Sequence, residues 1–170
     1  MPQSTNLSKK VTAFLDEEIE LISKAIKEHI NKHDGLRKKR DLMKSIPGVG
    51  DVTIEAILSE ANGFEGFDTV EQVVAYMGLS PKEHTSGTSV KGKAALCKIG
   101  SARLRKALYM PSLSAIQHNP FVTALYERLK SKSKNGMIIA CACMKKLVHI
   151  IYGVIKNGKP FNPAYNIKTT

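Results

Sequence analysis

The chain has 170 residues, 42% of them hydrophobic, which suits one domain plus an appendage. Its 26 Lys and Arg against 15 Asp and Glu give a formal net charge of +11. That balance favours a polyanionic partner, nucleic acid ahead of an anionic membrane surface. Three cysteines, at Cys97, Cys141 and Cys143, include no CxxC pair, and the five histidines are scattered. This composition excludes a disulfide scaffold and offers no metal-ligand spacing, so the thiols read as reduced and buried. No metal or other cofactor is expected in this chain. No signal peptide is read at the N-terminus, and no stretch approaches a bilayer-spanning length. The longest candidate, Met137 to Ile155, is interrupted by Lys145, Lys146, His149 and Gly153. The expected location is cytoplasmic, at the nucleoid, with no membrane partner.

In chain order, residues 1–8 read as a frayed polar start and 9–44 as one long helix. Leu15, Ile19, Ile22 and Ile26 recur in steps of four and three, a coiled-coil seam continued by His29, His33 and Leu36. Asp34-Gly35 marks a break or kink. The seam packs on the rest of the chain or on a second copy, and homo-oligomerisation through this helix is the expectation. A Gly-rich turn, Ser45 to Asp51, precedes a helix from Val52 to Ala61 that Asn62-Gly63 stops. Asp68 or Thr69 caps the next helix, which reaches about Met77 and closes at Gly78. Residues 80–101 read as a loop with some strand character. A helix follows from Ala102 to about Tyr109, continuing past Pro111 only with a kink. Asn119-Pro120 restarts a helix over 121–129. Met137 to Ile155 is the most apolar helix and the predicted core, and the chain from Gly158 onward reads as a tail. The fold class is mainly α. A long N-terminal coiled-coil helix (1–44) is followed by a compact helical domain (45–163) with a helix-hairpin-helix-like turn, then a tail (164–170).

Charge is distributed unevenly. Residues 1–83 hold 11 basic and 14 acidic side chains, whereas residues 84–170 hold 15 basic and only Glu127. Three segments of this pattern carry candidate chemistry. In Ile46-Pro47-Gly48-Val49-Gly50-Asp51, Gly48 and Gly50 turn the chain sharply between helices. Backbone N–H groups and the helix dipole there suit a phosphate oxygen, although Asp51 opposes one and serves equally as a cap. In His84-Thr85-Ser86-Gly87-Thr88-Ser89-Val90-Lys91-Gly92-Lys93, hydroxyls lie among glycines and lysines. That set, with Lys91 and Lys93, fits either a serine attacking a phosphodiester or a plain phosphate-binding loop. In Lys98-Ile99-Gly100-Ser101-Ala102-Arg103-Leu104-Arg105-Lys106, a helix opens with Arg103, Arg105 and Lys106 and no balancing acid, apt for phosphate.

Together these segments resemble the C-terminal transposase domain of the insertion-sequence family that includes the Piv-type DNA invertases. These are the DEDD transposases, some of them guided by a bridge RNA. The resemblance covers about residues 40–163. It rests on the PGVG turn, on YMGLSPKEHTSGTSVKGKAALCKIGSARLRKALYMPSLSAIQHNP and on LYERLKSKSKNGMIIACACMKKLVHIIYGVIKNGKPFNP. It implies a serine just before a glycine as the nucleophile that links covalently to DNA, here Ser86 before Gly87. It places the family's helix start at Gly100, Leu104 and Arg105, with Ser101 where the family usually has Asn. It implies double-stranded DNA as partner, a guide RNA in some members, and divalent metal (Mg) held by four acids of an N-terminal RuvC-like domain. No counterpart of those acids is read here, so the chain reads as the C-terminal part of such a protein, inactive alone.

Two functions follow. One is a recombinase domain whose Ser86 attacks DNA, with Gly48, Gly50, Gly87, Lys91, Lys93, Lys98, Arg103, Arg105 and Lys106 gripping it. The other is a non-catalytic DNA-binding module or regulator derived from a transposase. Only the first needs the Ser86 hydroxyl.

Overall fold

The computed structural model describes residues 3–82, 85–86, 90–91, 95–97 and 99–164, with backbone alone at 3–6, 82, 85–86, 90–91 and 95. The fold is mainly α, as the hydrophobic periodicity predicts. Two units divide the chain, one up to Lys38 and one from Lys39 onward.

The N-terminal unit departs from a single 9–44 helix. Helix α1 spans Gln3–Lys32 and α2 spans Asp34–Lys44, with the break at His33. Asp34-Gly35 starts α2 instead of breaking the helix. The reason is local: Asp34 lies in the first turn of α2, where a carboxylate meets the positive helix end, and it pairs with Arg37 at 2.7 Å. The His33 imidazole Nδ1 sits 2.9 Å from the His29 carbonyl oxygen at the junction. Along α1 the predicted stripe of Leu15, Ile19, Ile22 and Ile26 is exposed, by 38% at Ile26 and 59% at Ile19.

The second unit is organised around helix α5, Ala102–His118. Leu104, Leu108, Ser112 and Ala115 recur at helical spacing and are fully buried. Helix α3 (Asp51–Ala61), helix α6 (Pro120–Ser131) and helix α7 (Gly136–Asn157) all pack on α5. Helix α4, Val70–Tyr76, packs on α7. Caps set the boundaries. Thr69 and Gln72 form a reciprocal capping box at the start of α4. Asn119 accepts from Phe121 N–H with Pro120 at the first helical position of α6. Asn135 caps α7, which ends at Gly158 in a left-handed conformation.

By length and composition α7 is apolar enough to cross a membrane, contrary to the sequence reading that no stretch qualifies. Its apolarity has a use inside the fold. Ile139, Cys143, Leu147, Val148, Ile151 and Val154 form its buried face against the other helices.

Helix α5 runs unbroken through Pro111, past the expected end near Tyr109. Proline cannot donate to the carbonyl four residues earlier, so the Ala107 oxygen loses its helical partner. The Thr53 hydroxyl of α3 fills that vacancy, donating to the Ala107 oxygen at 3.2 Å. The two helices run antiparallel, and a second close approach fixes their register. Gly48, at φ +94°, lies so near α5 that a Cβ there would stand 2.8 Å from the Ala115 nitrogen. No side chain fits that turn, in space or in backbone conformation.

This arrangement makes a double-mutant prediction. Thr53→Val should destabilise by about 1–3 kcal/mol, because it leaves a part-buried carbonyl unpaired. In a Pro111→Ala background, where residue 111 regains its N–H, the same substitution should cost much less. Urea unfolding of the four proteins measures the coupling, and equal costs in both backgrounds would refute the pairing.

Candidate nucleic-acid interface

Within 80–101, read from the sequence as a loop with some strand character, the described residues form two short strand pairs, referred to as the arm. Strands β1 (Pro81–Lys82) and β4 (Ala95–Leu96) are antiparallel, with Pro81 opposite Leu96 and Lys82 opposite Ala95. Farther out, β2 (Thr85–Ser86) pairs with β3 (Val90–Lys91), placing Thr85 opposite Lys91 and Ser86 opposite Val90. The two pairs nest, so Ser86 lies on the outer one. His84, Gly87, Ser89, Lys93 and Lys98 lie outside the described residues.

Strands of two residues cannot hold themselves together, so the arm depends on its root. Cys97 N–H donates to the Ser80 oxygen at 2.9 Å, and Ser101 N–H donates to the Tyr76 oxygen at 2.9 Å. Gly100, at φ +137°, sits where any Cβ would collide with the Tyr76 carbonyl. Both strands of the root are thus tied to the end of α4 and the start of α5.

Glu60, at the end of α3, organises this corner. One of its carboxylate oxygens accepts from the Ser101 hydroxyl at 2.6 Å, and the other pairs with Arg103 Nε at 3.1 Å. Its backbone oxygen accepts from the Tyr76 hydroxyl at 3.1 Å. Ser101 also accepts from Leu104 N–H at 3.1 Å, capping α5. A serine at this position therefore both caps the helix and binds the α3 carboxylate.

The predicted cations separate into different roles. Arg105 is half-buried and donates through Nη1 to the Met77 oxygen at 2.9 Å, holding the end of α4. Arg103 is exposed and shares Glu60, and Lys106 is exposed on the same face. That outer face of α5 continues through Tyr109, Met110 and Gln117, all exposed, and α5 contains no acid. Gly48 is used in packing on Ala115, whereas a Cβ at Gly50 would meet nothing within 4 Å. Gly50 accepts from Thr53 and Ile54 N–H at the start of α3. Ala115 and Ser101 are fourteen residues apart on α5, so the PGVG turn and the arm root are roughly 20 Å apart along the helix. The structure groups Arg103, Arg105 and Lys106 near the arm root and sets Gly48 and Gly50 at the far end of α5.

Among the described residues, no group of three or more His, Cys, Asp or Glu side chains is placed to hold a metal ion. Cys97, Cys141 and Cys143 form no disulfide, and burial pushes the Cys143 thiol up to about 11, leaving it protonated at neutral pH.

A family model described as Transposase IS116/IS110/IS902 family matches residues 40–127. The chain belongs to this transposase family. The match runs from α2 to the middle of α6 and includes the PGVG turn, the arm and all of α5. The pilin gene-inverting protein of Moraxella bovis is 31% identical over 134 residues, 78% of this chain and 42% of that protein. The insertion element IS900 uncharacterized 42 kDa protein of Mycobacterium paratuberculosis is 23% identical over 159 residues, 93% of this chain and 38% of that protein. The insertion element IS110 uncharacterized 43.6 kDa protein of Streptomyces coelicolor is 23% identical over 117 residues, 69% of this chain and 29% of that protein. The chain thus spans about two-fifths of the pilin gene-inverting protein it matches.

Three positioning residues of this transposase-family unit carry no sequence signal of their own. Thr53, Glu60 and Tyr76 sit in ordinary helical patterns, and only the α3–α5 packing and the Tyr76–Glu60 hydrogen bond reveal their partners. The division of labour among the cations is testable. Arg105→Ala should lower unfolding stability by about 1.5–3 kcal/mol, since it removes a charged donor from a partly buried carbonyl. Lys106→Ala should change stability by less than about 0.5 kcal/mol. Similar small effects from both would show that the Arg105 contact holds nothing.

Proposed function

We propose that this chain is the DNA-gripping part of a transposase or site-specific recombinase, acting in the cytoplasm on double-stranded DNA, with Ser86 as the nucleophile. The observation that carries the reading is the placement of Ser86 on an outer strand pair whose root is fixed to α4 and α5 beside Arg103 and Lys106. The 84–170 half, with its single acid, supports it. Phosphate contacts fall to Gly50, Lys91, Arg103 and Lys106, with Gly87, Lys93 and Lys98 completing the set. Gly48 and Arg105 hold the frame that presents them. A guide RNA is a further partner of this proposal.

In the step proposed, Ser86 Oγ attacks a DNA phosphorus. A phosphoserine ester forms as the bond to one sugar oxygen breaks. The hydroxyl proton passes to a base, and the departing sugar oxygen takes up a proton. Returning that hydroxyl to the phosphorus reverses the exchange, so the bond energy is conserved for rejoining. A serine hydroxyl needs activation. His84 is a local candidate base, and acids of a RuvC-like domain, with Mg, are the stronger source. The chain alone should therefore form no covalent adduct.

The test is denaturing electrophoresis with labelled duplex DNA, with and without a full-length relative, on wild type, Ser86→Ala and Ser89→Ala. An adduct that depends on the full-length partner and disappears only in Ser86→Ala is expected. Loss only in Ser89→Ala moves the nucleophile, and an adduct surviving both rejects serine chemistry. That leaves the non-catalytic DNA-binding module. Non-covalent duplex binding should weaken with salt at about −0.9 in log K against log salt for each phosphate contact. A slope near zero would reject the grip itself.

The exposed stripe on α1 supports self-association. Leu15, Ile19, Ile22 and Ile26 leave apolar surface in water at roughly 25 cal/mol for each Å². A second copy meeting that stripe would cover it. Sedimentation should show wild type associating and an Ile19→Asp, Ile22→Asp double variant monomeric. A wild type that stays monomeric at high concentration would count against the pairing.

A further inference from the structure

A cavity of about 650 Å³ opens where the end of α7 meets the chain that follows it, away from the Ser86 arm in the sequence. Residues 159–162, read from the sequence as tail, fold back here. Phe161 N–H donates to the Ser45 hydroxyl at 2.8 Å, and its ring stands edge-on to Phe121 with centroids 5.7 Å apart. His149, Gly153 and Asn157 line one side at four-residue spacing, a single ridge of α7. Ile150 and Val154 form the apolar floor, and Lys159 and Asn162 lie on the rim.

Gly153 calls for an explanation. It sits within a 22-residue helix, where glycine is a poor choice. Its φ is not left-handed, and a Cβ there would meet nothing within 4 Å. Neither backbone geometry nor packing requires glycine. What its missing side chain leaves is room in the cavity beside the α7 ridge.

The lining chemistry narrows the occupant. Flat aromatic and aliphatic walls suit a planar ring. Asn157 offers an uncharged donor and acceptor, as base edges demand, and Asn162, whose Oδ1 accepts from Ala164 N–H at 2.9 Å, adds its amide N–H donors. His149 joins them as a neutral ring, because burial and the nearby Lys145 and Lys146 push its pKa below the usual histidine value, against the opposing pull of Glu71. Lys159 supplies a cation at the mouth, and no acid is among the described residues that line the cavity, so a cationic ligand is disfavoured. An apolar peptide side chain would leave the amides and the lysine unused.

We infer that this cavity receives an unstacked nucleobase from a single-stranded stretch of nucleic acid, with Lys159 on the adjoining phosphate. The inference rests on the nucleic-acid reading above, but uses a different surface. A base held here would be one that has left its helix, at a junction or displaced strand, while duplex is gripped elsewhere.

The experiment compares full-chain wild type, Gly153→Leu and Lys159→Ala for binding to oligothymidylate, oligouridylate and a DNA duplex, with melting temperature as the folding control. Gly153→Leu fills that room and should weaken single-strand binding about tenfold. It should leave duplex binding and melting unchanged or improved. Lys159→Ala should lower the single-strand salt slope by about 0.7, the value of one phosphate contact. Loss with oligothymidylate assigns the pocket to DNA, and loss with oligouridylate assigns it to RNA. Single-strand affinity that Gly153→Leu and Lys159→Ala leave intact overturns the inference. So does an equal loss for duplex and single strand, or a wild type that binds neither oligonucleotide. Absent duplex binding with intact, Gly153-sensitive single-strand binding would instead sink the duplex grip and leave the pocket standing.

Discussion

The hydrogen bond from Thr53 to the Ala107 carbonyl is the contact on which the rest of the second unit's arrangement turns. A proline inside a helix strips one carbonyl of its partner, and leaving a part-buried carbonyl unpaired is costly. Here the missing donor comes from another helix. That ties the course of α5 to the position of α3. Once Thr53 is set against Ala107, the antiparallel register brings Gly48 against Ala115 and carries Glu60 to Ser101 and Arg103. The PGVG turn and the corner that roots the Ser86 arm are thus two ends of one helix pair.

The same pairing explains why a strongly basic segment can fold. Cations crowded at a helix start repel one another and oppose the positive end of the dipole. Glu60 meets this by accepting from both Ser101 and Arg103, and Arg105 turns inward to the Met77 carbonyl. Lys106 is left on the outer face. Net charge therefore overstates the cation supply for a ligand, because part of it is committed to holding α4, α3 and α5 together. Glu60 is also placed so that a phosphate reaching Arg103 would compete with it for the same guanidinium.

Much of the fold was legible because its signals are local. The Asn62-Gly63 stop, the Thr69 cap, the Asn119-Pro120 restart and the apolar α7 each follow from a few neighbouring residues. The misplacements have one local cause and two distant ones. The helix break falls at His33 because Asp34 is a better first-turn residue than a breaker once it pairs with Arg37. Helix α5 continues past Tyr109 because Thr53, more than fifty residues earlier, satisfies the carbonyl that Pro111 orphans. The segment after Gly158 looked like tail because nothing near it signals the Ser45 hydroxyl or the Phe121 ring. For the candidate site, charge and glycine spacing single out the PGVG turn, the 84–93 segment and the start of α5. They could not distinguish Arg105, which braces the frame, from Lys106, which faces outward.

The arm's architecture sets a constraint on any chemistry it performs. Its strands are two residues long, so their pairing adds little, and the position of Ser86 is inherited from the root. That root is backbone hydrogen bonding plus one glycine, Gly100, pressed onto the Tyr76 carbonyl. A nucleophile must be held within a fraction of an ångström to benefit from orientation, and a ribbon this short cannot provide that unaided. Fixing the base while leaving the outer pair lightly held favours completion of the geometry by a ligand. DNA crossing the outer face of α5 would add the contacts that the isolated arm lacks. Under the proposed function, the α4–α5 corner would supply direction, the nucleic acid would supply the final positioning, and covalent attack would be coupled to correct engagement of the substrate.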